Sequence, residues 1–299
     1  MKTLDTDNNF LAIDEEFSSF ENSQIAIVSA GYEHTVSYGG GTGLGPEAII
    51  EASAFVEFYD DEFDRELCFE RGIATIEPIQ LDGIYDEQML EALGTQVAEL
   101  LRAGKFVVTL GGEHTISTAP IRAHFQEYPQ MSVLHFDAHS DLRDEYEDTK
   151  YSHASFMARV AEFFPPNRIT QVGIRAQCIE ESRFIKDNGV HTFYASALRR
   201  GLHGKEWQKS VVDTLSDEVY ITFDVDYFDP AIMPATGTPE PDGFLYSETL
   251  DIFREIVARG KRIVGFDVVE LAPMEGLPHP DLTAARLVYK LLNFAFAKK

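Results

Sequence analysis

The chain has 299 residues, 44% hydrophobic and 12% aromatic, which is enough to bury a sizeable core and excludes global disorder. Its 50 acidic and 25 basic residues give a formal charge of −25, which argues against nucleic acid and anionic membranes and is compatible with a cationic substrate. Two distant cysteines exclude a disulfide framework, no apolar run is long enough to span a bilayer, and the opening residues carry no leader pattern, so a cytoplasmic protein is expected.

Residues 1–22 are polar and acidic without a clear period and are expected as an amino-terminal arm, followed by a single catalytic domain over 23–299. Residues 24–30 read as the first buried strand. The glycine-rich stretch 39–46 lacks the Lys-Ser/Thr pair of a phosphate loop and the spacing of a dinucleotide fingerprint. It reads as a turned loop feeding a helix with Pro46 in its first turn, a helix that directs Ile49, Ile50, Phe55, Val56 and Tyr59 to a core. Residues 73–76 read as a strand and 86–103 as an amphipathic helix with Leu90, Leu93, Val97 and Leu101 on one face. A strand over 106–110 ends in Gly111-Gly112-Glu113-His114, and helical residues follow to about 125.

The stretch 132–141, SVLHFDAHSD, begins as a strand and runs out into Asp137, His139 and Asp141. Beyond a polar loop, helices are expected over 153–164, 179–188, 204–215, 247–258 and 281–296. Strands are expected over 169–174, 190–194, 219–223 and 262–268, with a loop rich in Pro and Gly over 229–243. Alternation of short apolar strands with amphipathic helices implies a mostly parallel sheet covered on both faces.

Ligands of such sheets sit beyond the carboxyl ends of the strands. Side chains two apart in an extended chain point the same way, so Asp137, His139 and Asp141 leave one strand end on one side, and Asp224 and Asp226 repeat the pattern. With His114 they make six candidate metal ligands, four carboxylates and two imidazoles. Four negative charges balance two divalent cations. Oxygen-rich ligation with some imidazole favours Mn2+, two per subunit, with Ni2+, Co2+ and Zn2+ as alternatives. Such a pair lowers the pKa of bound water. Glu270, at a further strand end, suits a planar cation held by a bidentate pair. His153 suits a proton shuttle or a hydrogen bond to substrate.

The motifs GGEHT (111–115), FDAHSDLRDEY (136–146), YSHASFMAR (151–159), FDVDYFDPAIMPATGTPEPDGF (223–244) and DVVELAP (267–273) together resemble the ureohydrolase family of arginases and agmatinases, and agmatinases most. The resemblance implies a three-layer α/β/α fold with an eight-stranded, mostly parallel sheet, the arginase-like fold. It implies a dimanganese centre, cleavage of a guanidino group to an amine and urea, and a homotrimer or homohexamer. On that pattern His114 and Asp141 match ligands of one ion, His139 and Asp226 ligands of the other, and Asp137 and Asp224 bridging ligands. Glu270 matches the acid that holds the guanidinium and His153 a histidine beside the substrate, while Asp141 assists the leaving amine.

The loop after Asp141 carries Asp144, Glu145, Glu147 and Asp148 against Arg143 and Lys150, which disfavours a substrate carboxylate and suits an amine at the far end. Asp144, Glu145 and Glu147 are therefore expected to bind substrate with Glu270 and His153. The reaction expected is agmatine to putrescine and urea, with N1-aminopropylagmatine to spermidine as the alternative and arginase or guanidinobutyrase activity behind both. Zinc deacetylases share the arginase fold but lack the full two-ion set, and a non-enzymatic polyamine-binding paralogue would be expected to have lost a ligand.

Overall fold

The computed structural model describes residues 1–81 and 83–297. Eight strands form one sheet: β1 (Ile25–Ala30), β2 (Ile73–Thr75), β3 (Phe106–Gly111), β4 (Ser132–Phe136), β5 (Ile169–Val172), β6 (His191–Phe193), β7 (Glu218–Asp224) and β8 (Arg262–Val269). Their order across the sheet is β2-β1-β3-β8-β7-β4-β5-β6, and every neighbouring pair is parallel. The strands read as nearly continuous apolar runs because helices cover both faces.

Alternation sorts the buried residues between two layers. Ile27, Val108, Phe223 and Phe266 face the side that carries α1 (Gly45–Ser53), α7 (Tyr246–Ala258) and α8 (His279–Ala295), with Ile49, Ile256 and Leu287 packed on them. Val28 and Val107 face the opposite side, under Leu93 and Val97 of α2 (Asp86–Arg102) and Ala119 of α3 (Thr118–Glu127). Further along that side, Val133 and Tyr220 meet Phe156 and Val160 of α4 (Phe156–Ala161). The remaining main helices are α5 (Ile179–Asn188) and α6 (Trp207–Asp213). Layering and sheet are those expected, three α/β/α layers around an eight-stranded parallel sheet.

Some local expectations shift. α1 ends at Ser53, so Phe55 and Tyr59 lie beyond it and are 82% and 51% exposed, while Ile49, Ile50 and Val56 are buried as expected. The helix expected over 204–215 is the shorter α6, and a short helix at Ala195–Arg199 precedes it. The glycine-rich loop is tightly turned: Glu33 accepts hydrogen bonds from the backbone N–H groups of Gly41 (2.9 Å) and Gly43 (2.8 Å). Residues of the opening segment lie along the β2 edge, where Leu4 donates to the Thr75 carbonyl and Phe10, Leu11 and Ile13 are buried. That cover removes an open sheet edge.

β3, β8, β7 and β4 are consecutive in the sheet, and their carboxyl ends carry His114, Glu270, Asp224 and Asp137. The register levels them: Phe136 pairs with Phe223 and Val269 with Asp224, so Asp137 and Asp224 leave the sheet side by side. This is the crevice position at which open α/β sheets place their ligands.

Candidate metal centre

The β3 exit is built for close approach. A Cβ on Gly112 would lie 2.1 Å from the Tyr32 carbonyl oxygen, so only glycine lets the chain turn here into the short 3-10 turn His114–Ser117. His114 is then fully buried, with its ring stacked on Phe156 at 3.8 Å. Its Nδ1 lies 3.1 Å from Asp137 Oδ2, 3.2 Å from Asp224 Oδ2 and 3.4 Å from Asp141 Oδ2. His139 Nδ1 lies 2.9 Å from Asp226 Oδ2 and 3.5 Å from Asp137 Oδ1. All six sequence-predicted ligands thus converge on one spot, with Asp137 between the two imidazoles.

Neighbouring backbone and hydroxyl groups aim these side chains. Asp224 Oδ1 accepts from the Asp226 N–H (2.8 Å), and Asp226 Oδ1 from the Ala138 N–H (2.9 Å). His114 Nε2 is 2.9 Å from Thr222 Oγ1, which itself donates to Asp267 Oδ1 (2.7 Å). The Thr222 hydroxyl proton is committed to Asp267, so it accepts from His114 Nε2–H and leaves the Nδ1 lone pair facing the carboxylates. Two residues here sit in the left-handed region that non-glycine residues rarely adopt: Asp141 at φ 52° and Glu270 at φ 66°. Asp141 is held there by its carbonyl, which accepts from Met157 and Ala158 N–H.

The donor set fits a pair of divalent cations on two grounds. His114 Nδ1 and Asp226 Oδ2 are buried without a hydrogen-bond partner, so both have lone pairs to offer. The carboxylates also cannot all stay charged unaided. Burial, reinforced by Asp226, Asp137 and Glu270, pushes the Asp224 carboxyl well above its ordinary range, and burial with Asp137 does the same to Asp141. Burial opposes the charge on Asp137 too, but His135, His114 and His139 outweigh it and hold that carboxyl well below the usual range. Two dications among these groups would favour the charged forms of Asp141 and Asp224 that burial opposes.

A cavity of about 470 Å3 opens over the cluster, lined among others by His139, Asp141, His153, Asp224 and Glu270. Glu270 Oε1 accepts from the His114 N–H at 2.7 Å, and burial pushes its carboxyl up to about 8 against that bond. His153 has its Nδ1 3.1 Å from Thr35 Oγ1 and its Nε2 3.1 Å from Ser37 Oγ. Thr35 Oγ1 donates to buried Glu113, which also accepts from the His34 and Thr35 N–H groups. The loop after β1 and the cavity wall at His153 are thereby one hydrogen-bonded unit.

The acidic loop does not behave as expected, and this is a correction. Asp144 turns to Arg159 (2.8 Å) with its side chain 96% exposed. Tyr146 and Thr149 exchange backbone hydrogen bonds, so Glu147 (φ 50°) and Asp148 (φ 66°) are the two corner residues of a tight turn that faces solvent. Glu145 is exposed as well, and none of Asp144, Glu145 and Glu147 lines the cavity. Arg143 and Tyr146 line it instead, with the guanidinium 5.0 Å from the ring centroid. Arg175 also lines it, but its donors are taken by backbone carbonyls, including those of Asp226 (2.7 Å) and Glu240 (2.9 Å).

Sequence reasoning also passed over His135, whose Nε2 lies 2.7 Å from Asp137 Oδ2. The same two-residue alternation that linked Asp137 to His139 places His135 on the Asp137 side of β4, so the signal was present. Asp267 and Glu113 gave no such signal, since their partners come from distant strands and loops.

Comparison with known proteins places nearly the whole chain among relatives. The model of the arginase family matches residues 23–293. The N(1)-aminopropylagmatine ureohydrolase of Synechocystis sp. is 35% identical over 94% of this chain and 92% of its own length. The agmatinase of Bacillus anthracis is 35% identical over 92% of each chain. The crystal structure of agmatine ureohydrolase of Thermoplasma volcanium superposes with a TM-score of 0.81 at 27% identity, covering 97% of this chain and 93% of that one. With a family match across nearly its whole length and relatives of this identity, the chain belongs to the arginase family.

Proposed function

We propose that the protein hydrolyses the guanidino group of agmatine to putrescine and urea with two Mn2+ per subunit. The observation that carries this is a buried carboxylate, Glu270, sharing one cavity with a cluster of four aspartates and two imidazoles suited to two dications. Ligands of one ion would be His114 and Asp141, of the other His139 and Asp226, with Asp137 and Asp224 shared. When bound, the pair supplies Lewis acidity and a water of lowered pKa. Glu270 holds the guanidinium by a charge-assisted pair and fixes the carbon over the cluster. The substrate's positive charge favours the ionised carboxylate that burial alone disfavours. His153, oriented by Thr35 and Ser37, takes up or returns a proton at Nε2 as the amine leaves, and Asp141 assists that transfer.

A second reading has its own support. The Synechocystis relative is named for N(1)-aminopropylagmatine and matches as much of this chain as the Bacillus agmatinase does. A cavity of about 470 Å3 also leaves space beyond agmatine for an aminopropyl tail. Either substrate ends in an amine. The case for that end now rests on these relatives, because the exposed acids after Asp141 do not reach the cavity. The test is a panel of agmatine, N1-aminopropylagmatine, arginine, guanidinobutyrate and guanidine on Mn2+-loaded protein, with urea measured. Agmatine is expected to lead. Faster turnover of N1-aminopropylagmatine selects the second reading, arginine above both defeats the amine-ended assignment, and no urea from any of them defeats the ureohydrolase function.

A further inference from the structure

One level beneath the aspartate cluster, a rung of polar residues crosses six consecutive strands. Thr109 pairs with Asp267, Asp267 with Thr222, Thr222 with His135, His135 with Gln171 and Gln171 with Thr192. Thr109, Asp267, Thr222, His135 and Gln171 are fully buried, in strands that are otherwise largely apolar. Each stands two residues before the strand-end position above it, so the rung underlies the cluster on the same side of the sheet. Burying that many polar groups is costly unless they are bonded to one another. Most are. Asp267 accepts from Ser117 (3.0 Å), Thr222 (2.7 Å) and Tyr220 (2.8 Å), and Thr222 meets His114.

The other arm of the rung has a determinate proton pattern. Gln171 Oε1 accepts from the Thr192 hydroxyl (3.1 Å). Gln171 Nε2 donates to the Ser140 carbonyl (2.8 Å) and lies 3.1 Å from His135 Nδ1. A flipped amide would set an amide oxygen against that carbonyl, so the second Nε2 proton goes to His135 Nδ1. Nδ1 therefore accepts, and the His135 proton sits on Nε2 and is donated to Asp137 Oδ2 at 2.7 Å. Both ring nitrogens are used up.

We propose that His135 is a positioning residue for Asp137 and not itself a metal ligand, and that Gln171 and Thr192 lock the tautomer it needs. The proposal rests on the two-metal reading above and adds to it the device that fixes the shared carboxylate. A carboxylate that serves two cations must keep one rotamer. The Nε2–H of His135 pins one oxygen from below, and the His139 N–H bonds the other.

The test uses the full-length chain. Mn2+ affinity is measured by competition with a fluorescent chelator for wild type, His135→Leu and His135→Gln, since Gln places a donor near the position of Nε2. Loss of the donor is expected to weaken Mn2+ binding about 10- to 100-fold, and His135→Gln is expected to recover most of it. A general packing defect would not be rescued in this way. Independently, the long-range 15N–1H spectrum of histidine-labelled, metal-free protein should show His135 with its proton on Nε2. Thr192→Val, at the far end of the rung, should raise the Nδ1–H population and weaken Mn2+ binding by a smaller factor even if the Leu variant fails to fold. Unchanged affinity in His135→Leu, no rescue by Gln, or an Nδ1–H tautomer in wild type would each overturn the proposal. Wild-type protein that binds no Mn2+ would instead sink the metal reading, while the tautomer spectrum still judges the relay.

Discussion

Two histidines packed beside this sheet are equally buried and have opposite fates. His114 lies at the carboxyl end of β3, and His124 lies on α3 against the inner half of the sheet. His124 has its Nδ1 2.7 Å from the Pro120 carbonyl, its ring 4.6 Å from Tyr220 and no partner on Nε2. Burial pushes it down to about 4, so it is a neutral packing residue at any physiological pH. Burial acts on His114 in the same direction, but Asp137, Asp141 and Asp267 outweigh it and raise it above the ordinary value. The same imidazole is thus an inert filler on one side of the sheet and a charge-coupled donor at its rim. Burial does not distinguish them; the carboxylates delivered by neighbouring strands do.

Glu270→Gln gives the largest effect on the rim side of this contrast. Removing the charge proposed to hold the substrate guanidinium is expected to cost about 2–5 kcal/mol in kcat/KM, with both metal ions retained. Metal content and urea release on the same sample check this, and loss of the metals would mean that Glu270 supports the cluster and not the substrate.

His124→Leu probes the other side. A folded-state value near 4 against an ordinary 6.5 means that the unfolded chain binds the extra proton first. This group's contribution is therefore fully present above pH 6.5 and is lost as the pH falls towards 4, a change of about 3 kcal/mol. Chemical denaturation of wild type and variant at pH 7.5, 5.5 and 4.5 should show the wild type losing more stability on acidification than the variant. Parallel curves would mean that His124 keeps its ordinary value in the fold, and a wild type that gains stability over the variant on acidification would mean that it is protonated there.

The smallest effects belong to the solvent-facing loop. Neutralising Asp144, Glu145 and Glu147 together should change KM for an amine-ended substrate by less than about twofold, as expected for screened surface charges. Replacing Glu147-Asp148 by Asn-Gly, residues suited to two positive φ angles, should stabilise the fold by about 1 kcal/mol in thermal denaturation. A large rise in KM from the first set would restore these acids to the substrate site.

What could be read in advance follows the same division. The parallel sheet and five of the six converging metal-capable side chains were legible because both depend on short-range periodicity, and His114 because it follows directly on a strand end. Strand alternation aims Asp137, His139 and Asp141, and Asp224 and Asp226, before any tertiary contact is known. The direction of Asp144 to Asp148 was not legible, since it is set by Arg159 and by a tight turn whose left-handed corners are occupied by acids and not by Asn or Gly. Phe55 and Tyr59 were misjudged because an apolar period carries no mark of where α1 stops. The polar rung needs the register of six strands, which no local pattern contains. His135 lay between the two cases: its position two before Asp137 could be seen, but its role depends on Gln171 and Ser140 from elsewhere in the fold.

The most direct test of the central claim is anomalous diffraction from crystals of the Mn2+-loaded protein. Two peaks per chain are predicted, roughly 3.5–4 Å apart, one beside His114 Nδ1 and Asp141 and the other beside His139 Nδ1 and Asp226, with Asp137 and Asp224 between them. A single peak, or a peak bonded to His135 Nε2, would contradict the account.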